Sequence, residues 1–424
     1  MQPSDAAGGR QGGTAAVAPT QSEDCLYLNV WTEAASASER RPVIVWSHGG
    51  AFTIGAGSQR DGEALARKGV VVVAYNYRLG PFGCFSHPEL TGESPRNASG
   101  NYGLMDFVAV LRWVQQNITA FGGDPNRVTL MGQSAGGRLT RAAVASSQAK
   151  GLFHRAISQS APVRIERMLT RAEAEKAGQA EAAKIGAASL AELRATPAGE
   201  IQRGMQAGRL VVDGWYVTED NSTSIAEGRH NRVELLIGSN KDEATFVSLF
   251  PTSPFFGLEN TTAQQFIDGA RRRFGSNAGA FLSLYPAGSS DGDARESQRA
   301  AFSDEAAWNA RDWALAQTRA GGKAYLYYFV HEPPAAPGQP NRRASHGAEV
   351  PYAFNGPVAS WTDVDRALAD AMSSYWVNFA TSGNPNGAGL PVWPALQPTA
   401  HERMIFGPKI EVGGSARHRA RGIV

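Results

Sequence analysis

The stretch Val128–Gly137, VTLMGQSAGG, sets an apolar, partly β-branched run against a serine walled in by glycine and alanine. RVTLMG reads as a buried strand and SAGGRLTRAAVAS, directly after it, as a helix, so Ser134 stands at the join. GQSAG, Gly132 to Gly136, fits the Gly-x-Ser-x-Gly pattern of a sharp strand-to-helix turn that exposes a nucleophilic serine. Such a turn strains the backbone at the serine and crowds the residues two before and two after it, where glycine removes the colliding side chain. Ser134 then projects beyond the strand end, and the N–H of Ala135 lies at a helix N-terminus, where the dipole favours an anion. Gly, Ser and Ala are common residues, so the five-residue pattern gains its weight from the elements around it.

Those elements alternate. RPVIVWSH and VVVVAYNY are short, continuously apolar runs of the kind found in strands buried on both faces. LMDFVAVLRWVQQNI places Leu104, Phe107, Val108, Leu111, Val114 and Ile118 at spacings of three and four, an amphipathic helix. HRAISQS, RVELLIGSN and KAYLYYFV read as further strands, and DRALADAMSSYWVNFATSG as a long helix stopped by Gly383 and Pro385. Alternating strands and helices predict an α/β fold with a mostly parallel sheet. The Ala/Glu/Arg-rich stretch 162–232, with RAEAEKAGQAEAAKIGA as its plainest helix, reads as a helical cap inserted into a single domain spanning 25–424. The first 24 residues read as a flexible segment without the basic start, apolar middle and cleavage site of a signal peptide.

Bulk properties exclude several functions. The 424 residues are 42% hydrophobic and 19% charged, with 41 basic and 39 acidic side chains for a net charge of +2. That balance gives no footprint for nucleic acid or an anionic membrane. No window is long and apolar enough for a membrane span. Cys25 and Cys84 provide neither a disulfide framework nor a metal-site spacing, so both are expected as buried thiols, and no metal is expected. His48 reads as loop structure for the same reason. Trp308, Trp313, Trp376 and Trp393 are assigned to the core.

Upstream, WSHGGAFTIGAG follows the strand PVIV and supplies a second Gly-rich loop. Backbone amides aimed into a shared anion-binding hole require small residues, and Gly49, Gly50 and Ala51 provide them. Together with SEDCLYLNVW, NYRLGPFGCF, the run GNYGLMDFVAVLRWVQQNITAFGGDPNRVTLMGQSAGG, SNKDEATF and SHGAEVPYAFN, this loop makes the chain resemble the type-B carboxylesterases of the cholinesterase/carboxylesterase family. The similarity runs from about Ser22 to SGNPN and VWP near the C-terminus.

The resemblance implies an α/β-hydrolase fold and hydrolysis of small-molecule carboxylic esters without a cofactor. It assigns Ser134 as nucleophile, His346 as general base and acid, and Glu243 as the carboxylate that orients the imidazole. Asp242 is its neighbour and competitor, and the residues alone do not choose between them. The amides of Gly50, Ala51 and Ala135 become the oxyanion donors, with Gly49 letting the loop turn and Ser160 supporting the triad from behind. Trp215, Phe246 and Tyr352, with Phe255 and Phe256, are candidate lining for a substrate pocket because such gorges are aromatic and mostly apolar, with plain core packing the alternative for each. The resemblance also implies a structural ion pair between Arg78 and Asp124.

Several positions depart from the family pattern. Relatives carry a small N-terminal sheet and a cysteine that pairs with the one in SEDC, so Cys25 and Glu23 are expected to lack their usual mates. The intact parent is expected to be secreted or periplasmic. Gln133 stands where many relatives have Glu, and no aromatic residue precedes SEDC to hold a quaternary ammonium, which argues against a cholinesterase. Two rival readings are a weakly active esterase derivative lacking the N-terminal sheet and a non-catalytic binding protein on the same scaffold. The presence of Ser134, Glu243 and His346 together favours the esterase. Nothing in the sequence specifies an oligomeric state.

Overall fold

The computed structural model describes residues 21–161, 167–206, 209–244, 261–335, 338–399 and 402–414. Eleven strands are present among them: β1 (Leu28–Trp31), β2 (Arg41–Ser47), β3 (Val71–Tyr75), β4 (Gly123–Gln133), β5 (Arg155–Gln159), β6 (Leu169–Thr170), β7 (Val211–Val212), β8 (Glu234–Asn240), β9 (Ala324–Phe329), β10 (Glu402–Phe406) and β11 (Ile410–Gly414). Nine form one sheet in the order β1-β3-β2-β4-β5-β8-β9-β10-β11. β1 on β3 and β11 on β10 are antiparallel. Every pairing between β3 and β10 is parallel.

Continuous apolar strands follow from burial on both faces. Along β2, Val43 and Val45 join one core and Ile44 and Trp46 the other. β3 divides its residues in the same way, Val71, Val73 and Tyr75 against Val72 and Ala74. The first core is closed by the helices Tyr102–Asn117, Ala135–Ala145 and Asp291–Arg319. All six residues of the apolar stripe from Leu104 to Ile118 are buried in it. The second core is closed mainly by the Asp363–Ser382 helix, which ends at Gly383 in the left-handed region.

Between β5 and β8 lie the helices Arg171–Lys184, Leu190–Ala195, Ala198–Gly204 and Asn221–Ala226, with β6 and β7 paired as a separate ribbon. Thr170 with Glu173 and Ser189 with Glu192 form reciprocal capping boxes that start two of these helices. Asn101, fully buried at the start of the Tyr102–Asn117 helix, clasps this segment to that helix. Its amide donates to Val211 O and Asp213 Oδ2, both at 2.8 Å, and its oxygen accepts from Val211 N–H at 3.0 Å.

Cys25 and Cys84 are free and buried, and burial pushes the Cys84 thiol up to about 12. Trp313, Trp376 and Trp393 are core residues, whereas Trp308 is only half-buried. The expected Arg78–Asp124 pair does not form. Arg78 instead grips Asp106, one turn into the Tyr102–Asn117 helix, with its Nη2 2.7 Å from Oδ1 and its backbone N–H 2.9 Å from Oδ2. Asp124 opens β4 and is taken by Arg40 at 2.6 Å and Arg127 at 3.1 Å. The nearer helix carboxylate satisfies both the main chain and the guanidinium of Arg78, which a distant strand residue cannot do.

Candidate active site

At the end of β4, Ser134 holds φ 56° and ψ −117°, a conformation that is strained for any residue with a Cβ. Its N–H donates to Gln159 O at 2.9 Å, which ties the turn to β5. Both elbow glycines are required by backbone contacts. A Cβ on Gly132 would lie 2.3 Å from Gly136 O, and one on Gly136 would lie 2.0 Å from Ser47 O at the end of β2. The sharp turn therefore exists because two main chains pass at glycine distance. Ala135 is the first helical residue, so its N–H has no intrahelical acceptor.

The loop after β2 takes the left-handed region at three successive residues, Gly50, Ala51 and Phe52, with φ of 110°, 55° and 62°. Gly50 O accepts from Thr53 N–H at 2.9 Å and Ile54 N–H at 3.0 Å, which curls the loop tightly. Gly49 is needed for proximity, since a Cβ there would sit 2.5 Å from Gln133 Oε1 and 3.2 Å from Ser134 Cβ. This loop and the elbow are thus in direct contact. His48 braces it from behind, stacked on Tyr77 with ring centres 4.3 Å apart and donating from Nδ1 to Gly49 O at 2.7 Å. Burial pushes His48 down to about 4, so the brace is a neutral imidazole. The Arg138 guanidinium, one turn into the elbow helix, covers the Phe52 ring at 5.5 Å.

His346 and Glu243 arrive from other strands. Glu243 follows β8, is fully buried, and accepts from His346 Nδ1 at 2.5 Å and from Asn240 N–H at 2.7 Å. Asp242 does a different job. It accepts from Ala344 N–H at 3.2 Å, bridges to Ser345 and lies 3.8 Å from Arg343, so it anchors the chain that carries the histidine. With Nδ1 donating to Glu243, His346 Nε2 presents a lone pair, and Gln133 Nε2 lies 3.1 Å from it. The elbow serine, the Gly-rich loop and this dyad converge at the C-terminal ends of parallel strands, where open α/β sheets hold their ligands.

Behind the dyad lies a second buried carboxyl that sequence reasoning missed. Glu349 takes Asn240 Nδ2 at 2.5 Å and lies 3.4 Å from both Gln159 Nε2 and Ser160 Oγ. Burial, and next the charge of Glu243, push Glu349 up to about 7. Ser160, itself at φ 46°, thus reaches the site through Glu349. No local pattern announces this cluster, whose members come from β5, β8 and the stretch after His346.

The candidate pocket residues divide. Trp215 is half-buried beside Tyr216 and under the Arg96 guanidinium at 5.6 Å. Tyr352 is not pocket lining. It is fully buried in the second core, stacked on Trp361, and its hydroxyl donates to Asp365 Oδ1 at 2.6 Å. The helix Val350–Phe354 turns that ring toward the Asp363–Ser382 helix, because both must cover the same apolar sheet face. Phe246, Phe255 and Phe256 lie outside the described residues. Among the described residues no cluster of His, Cys, Asp and Glu has a metal-binding arrangement, and no helix is long and apolar enough to cross a membrane.

A parallel sheet with a strained serine turn at the end of a central strand defines an α/β-hydrolase, and solved structures agree. Two structures of PNB esterase superimpose with TM-scores of 0.81 and 0.80 at 32% identity, covering 96% and 98% of this chain and 85% and 88% of theirs. The chain belongs to the carboxylesterase family, whose profile matches residues 1–419. It is 35% identical over 423 residues to fumonisin B1 esterase of Sphingopyxis macrogoltabida, an alignment covering 92% of this chain and 74% of that one. It is 34% identical over 421 residues to para-nitrobenzyl esterase of Bacillus subtilis (strain 168), covering 93% and 81%. The protein is a carboxylic ester hydrolase.

Proposed function

We propose that the protein hydrolyses small-molecule carboxylic esters through a Ser134–His346–Glu243 triad and an acyl-enzyme intermediate. The observation that carries this reading is the 2.5 Å contact from His346 Nδ1 to the fully buried Glu243, beside a serine held at φ 56°. Glu243 keeps the ring proton on Nδ1, so Nε2 can accept the proton of Ser134 Oγ as that oxygen attacks the ester carbonyl. The amides of Gly50, Ala51 and Ala135 receive the charge that develops on the carbonyl oxygen. The imidazolium then gives its proton to the departing alcohol, the C–O bond to that alcohol breaks, and an acyl-Ser134 ester remains. Water, deprotonated by the same Nε2, releases the acid and restores the serine. The catalytic domain spans 25–424, with about 162–232 as its helical insertion. The likeness to a para-nitrobenzyl esterase supports an ester with an aromatic alcohol as a working substrate.

Hydrolysis of p-nitrophenyl butyrate by the purified chain, beside Ser134→Ala and His346→Ala, tests the proposal. Turnover in the unaltered protein and loss of at least about 10³-fold in both variants is expected. Retention of activity by Ser134→Ala would overturn it.

A further inference from the structure

Gln133, the last residue of β4, meets the imidazole on the side away from Glu243, its Nε2 3.1 Å from His346 Nε2. Because Glu243 holds the ring proton on Nδ1, the other nitrogen takes only a donor, which fixes the amide nitrogen of Gln133 as the atom that faces it. The side chain is buried and has a place made for it. A Cβ on Gly49 would lie 2.5 Å from its oxygen, and one on Gly347 would lie 3.4 Å from its nitrogen.

We propose that Gln133 is a positioning residue for the catalytic base: its amide N–H donates to the lone pair of His346 Nε2, a contact that favours the neutral ring and holds it aligned. The inference rests on the base role proposed for His346. This hydrogen bond exists only with the neutral ring, since protonation of Nε2 would set N–H against N–H. A carboxylate at the same place would accept from Nε2–H and favour the charged ring instead. An approaching ester displaces the amide and leaves the lone pair to the Ser134 hydroxyl.

Among the described residues, Glu243 after β8 contacts the His346 ring, Glu349 in the stretch leading to the Val350–Phe354 helix interacts electrostatically with it, and Tyr327 of β9 lies near both carboxylates. Glu349 titrates near neutrality, so its contribution is separated by repeating each measurement in a Glu349→Gln background.

The experiment compares the acid limb of the kcat/KM–pH profile in the unaltered protein, Gln133→Met and Gln133→Glu, with melting curves to establish that each is folded. Removing the donor is expected to raise the midpoint by about half a pH unit or more, and the carboxylate to raise it by about one unit or more. A Gln133→Met limb that coincides with that of the unaltered protein would overturn the inference and leave the amide as a space-filler. A second readout needs no turnover: the His346 ring is titrated by ¹⁵N NMR in Ser134→Ala protein, with and without Gln133→Met. The same upward shift is expected there. If Ser134→Ala keeps its turnover, the triad reading fails while the NMR shift still supports the Gln133 contact. If Ser134→Ala is inactive and the NMR titration does not move, only the Gln133 inference falls.

Discussion

Replacing Glu243 by Gln removes one charge and no volume, and the geometry dictates the consequence. The carboxylate accepts twice, from Asn240 N–H at 2.7 Å and from His346 Nδ1 at 2.5 Å, in a fully buried site. A carboxamide has one oxygen to offer and must point its NH₂ at the other partner. Aiming the NH₂ at Asn240 would leave a buried backbone donor facing a donor, at a cost of about 1–3 kcal/mol. The oxygen therefore stays with Asn240 and the NH₂ faces Nδ1, which must then carry the lone pair. On the proposed mechanism the ring proton then moves to Nε2, and the base for the Ser134 hydroxyl is lost. The wrong tautomer in an otherwise intact triad costs about 10⁴ in kcat, or roughly 5.5 kcal/mol of barrier. Steady-state hydrolysis of p-nitrophenyl butyrate should therefore fall by about 10³- to 10⁴-fold with KM little changed. Asp242→Asn, whose amide oxygen still accepts from Ala344 N–H, should lose less than about tenfold. A Glu243→Gln protein with an unaltered melt and less than about a tenfold loss would refute the reasoning, as would the reverse ranking of the two variants.

Gly136→Ala would drive a Cβ to 2.0 Å from Ser47 O, where only backbone can yield. Chemical denaturation should register a loss of at least about 3 kcal/mol or a failure to fold. A double-mutant cycle between Arg78 and Asp106 should give a coupling above about 1 kcal/mol, and one between Arg78 and Asp124 should stay within about 0.5 kcal/mol of zero. Asp365 is opposed by burial, but hydrogen bonds from Thr362, Tyr352 and His331 win and hold it down at about 2. Since the folded value is the lower one, its roughly 2 kcal/mol of stabilisation is present above pH 4 and lost as pH falls toward 2. Asp365→Asn should flatten stability over that window in acid-titrated melts, and an unchanged slope would count against the network.

Local patterns carried much of the architecture. The apolar runs at Val43–Trp46 and Val71–Tyr75 are strands because nothing but double-sided burial explains four or five consecutive buried residues. The elbow was legible because its glycine spacing is itself a steric requirement, and Gly132 and Gly136 meet backbone as that requirement demands. The resemblance implies Glu243 over Asp242, and Glu243 Oε2 lies 2.5 Å from His346 Nδ1 while Asp242 Oδ2 accepts from Ala344 N–H. Contacts between distant residues were harder to read. Arg78 chose Asp106 over Asp124 because a helix turn brought the carboxylate to its main chain, and no spacing rule ranks the two. An aromatic near His346 in the sequence suits either a gorge or a core, and for Tyr352 only the packing of the second helix layer decides. Glu349, Asn240, Gln159 and the Gln133 contact are assembled from three strands and one connecting stretch, so no window of sequence contains them.

The central claim is that Ser134 becomes covalently acylated. Rapid quenching of the protein with p-nitrophenyl acetate, followed by peptide mass spectrometry, tests it most directly. An acetyl group on the Ser134 peptide, formed within the burst of p-nitrophenol and absent from Ser134→Ala, is the predicted result. Full turnover with no acyl group on that peptide, or with one on another residue, would contradict the account.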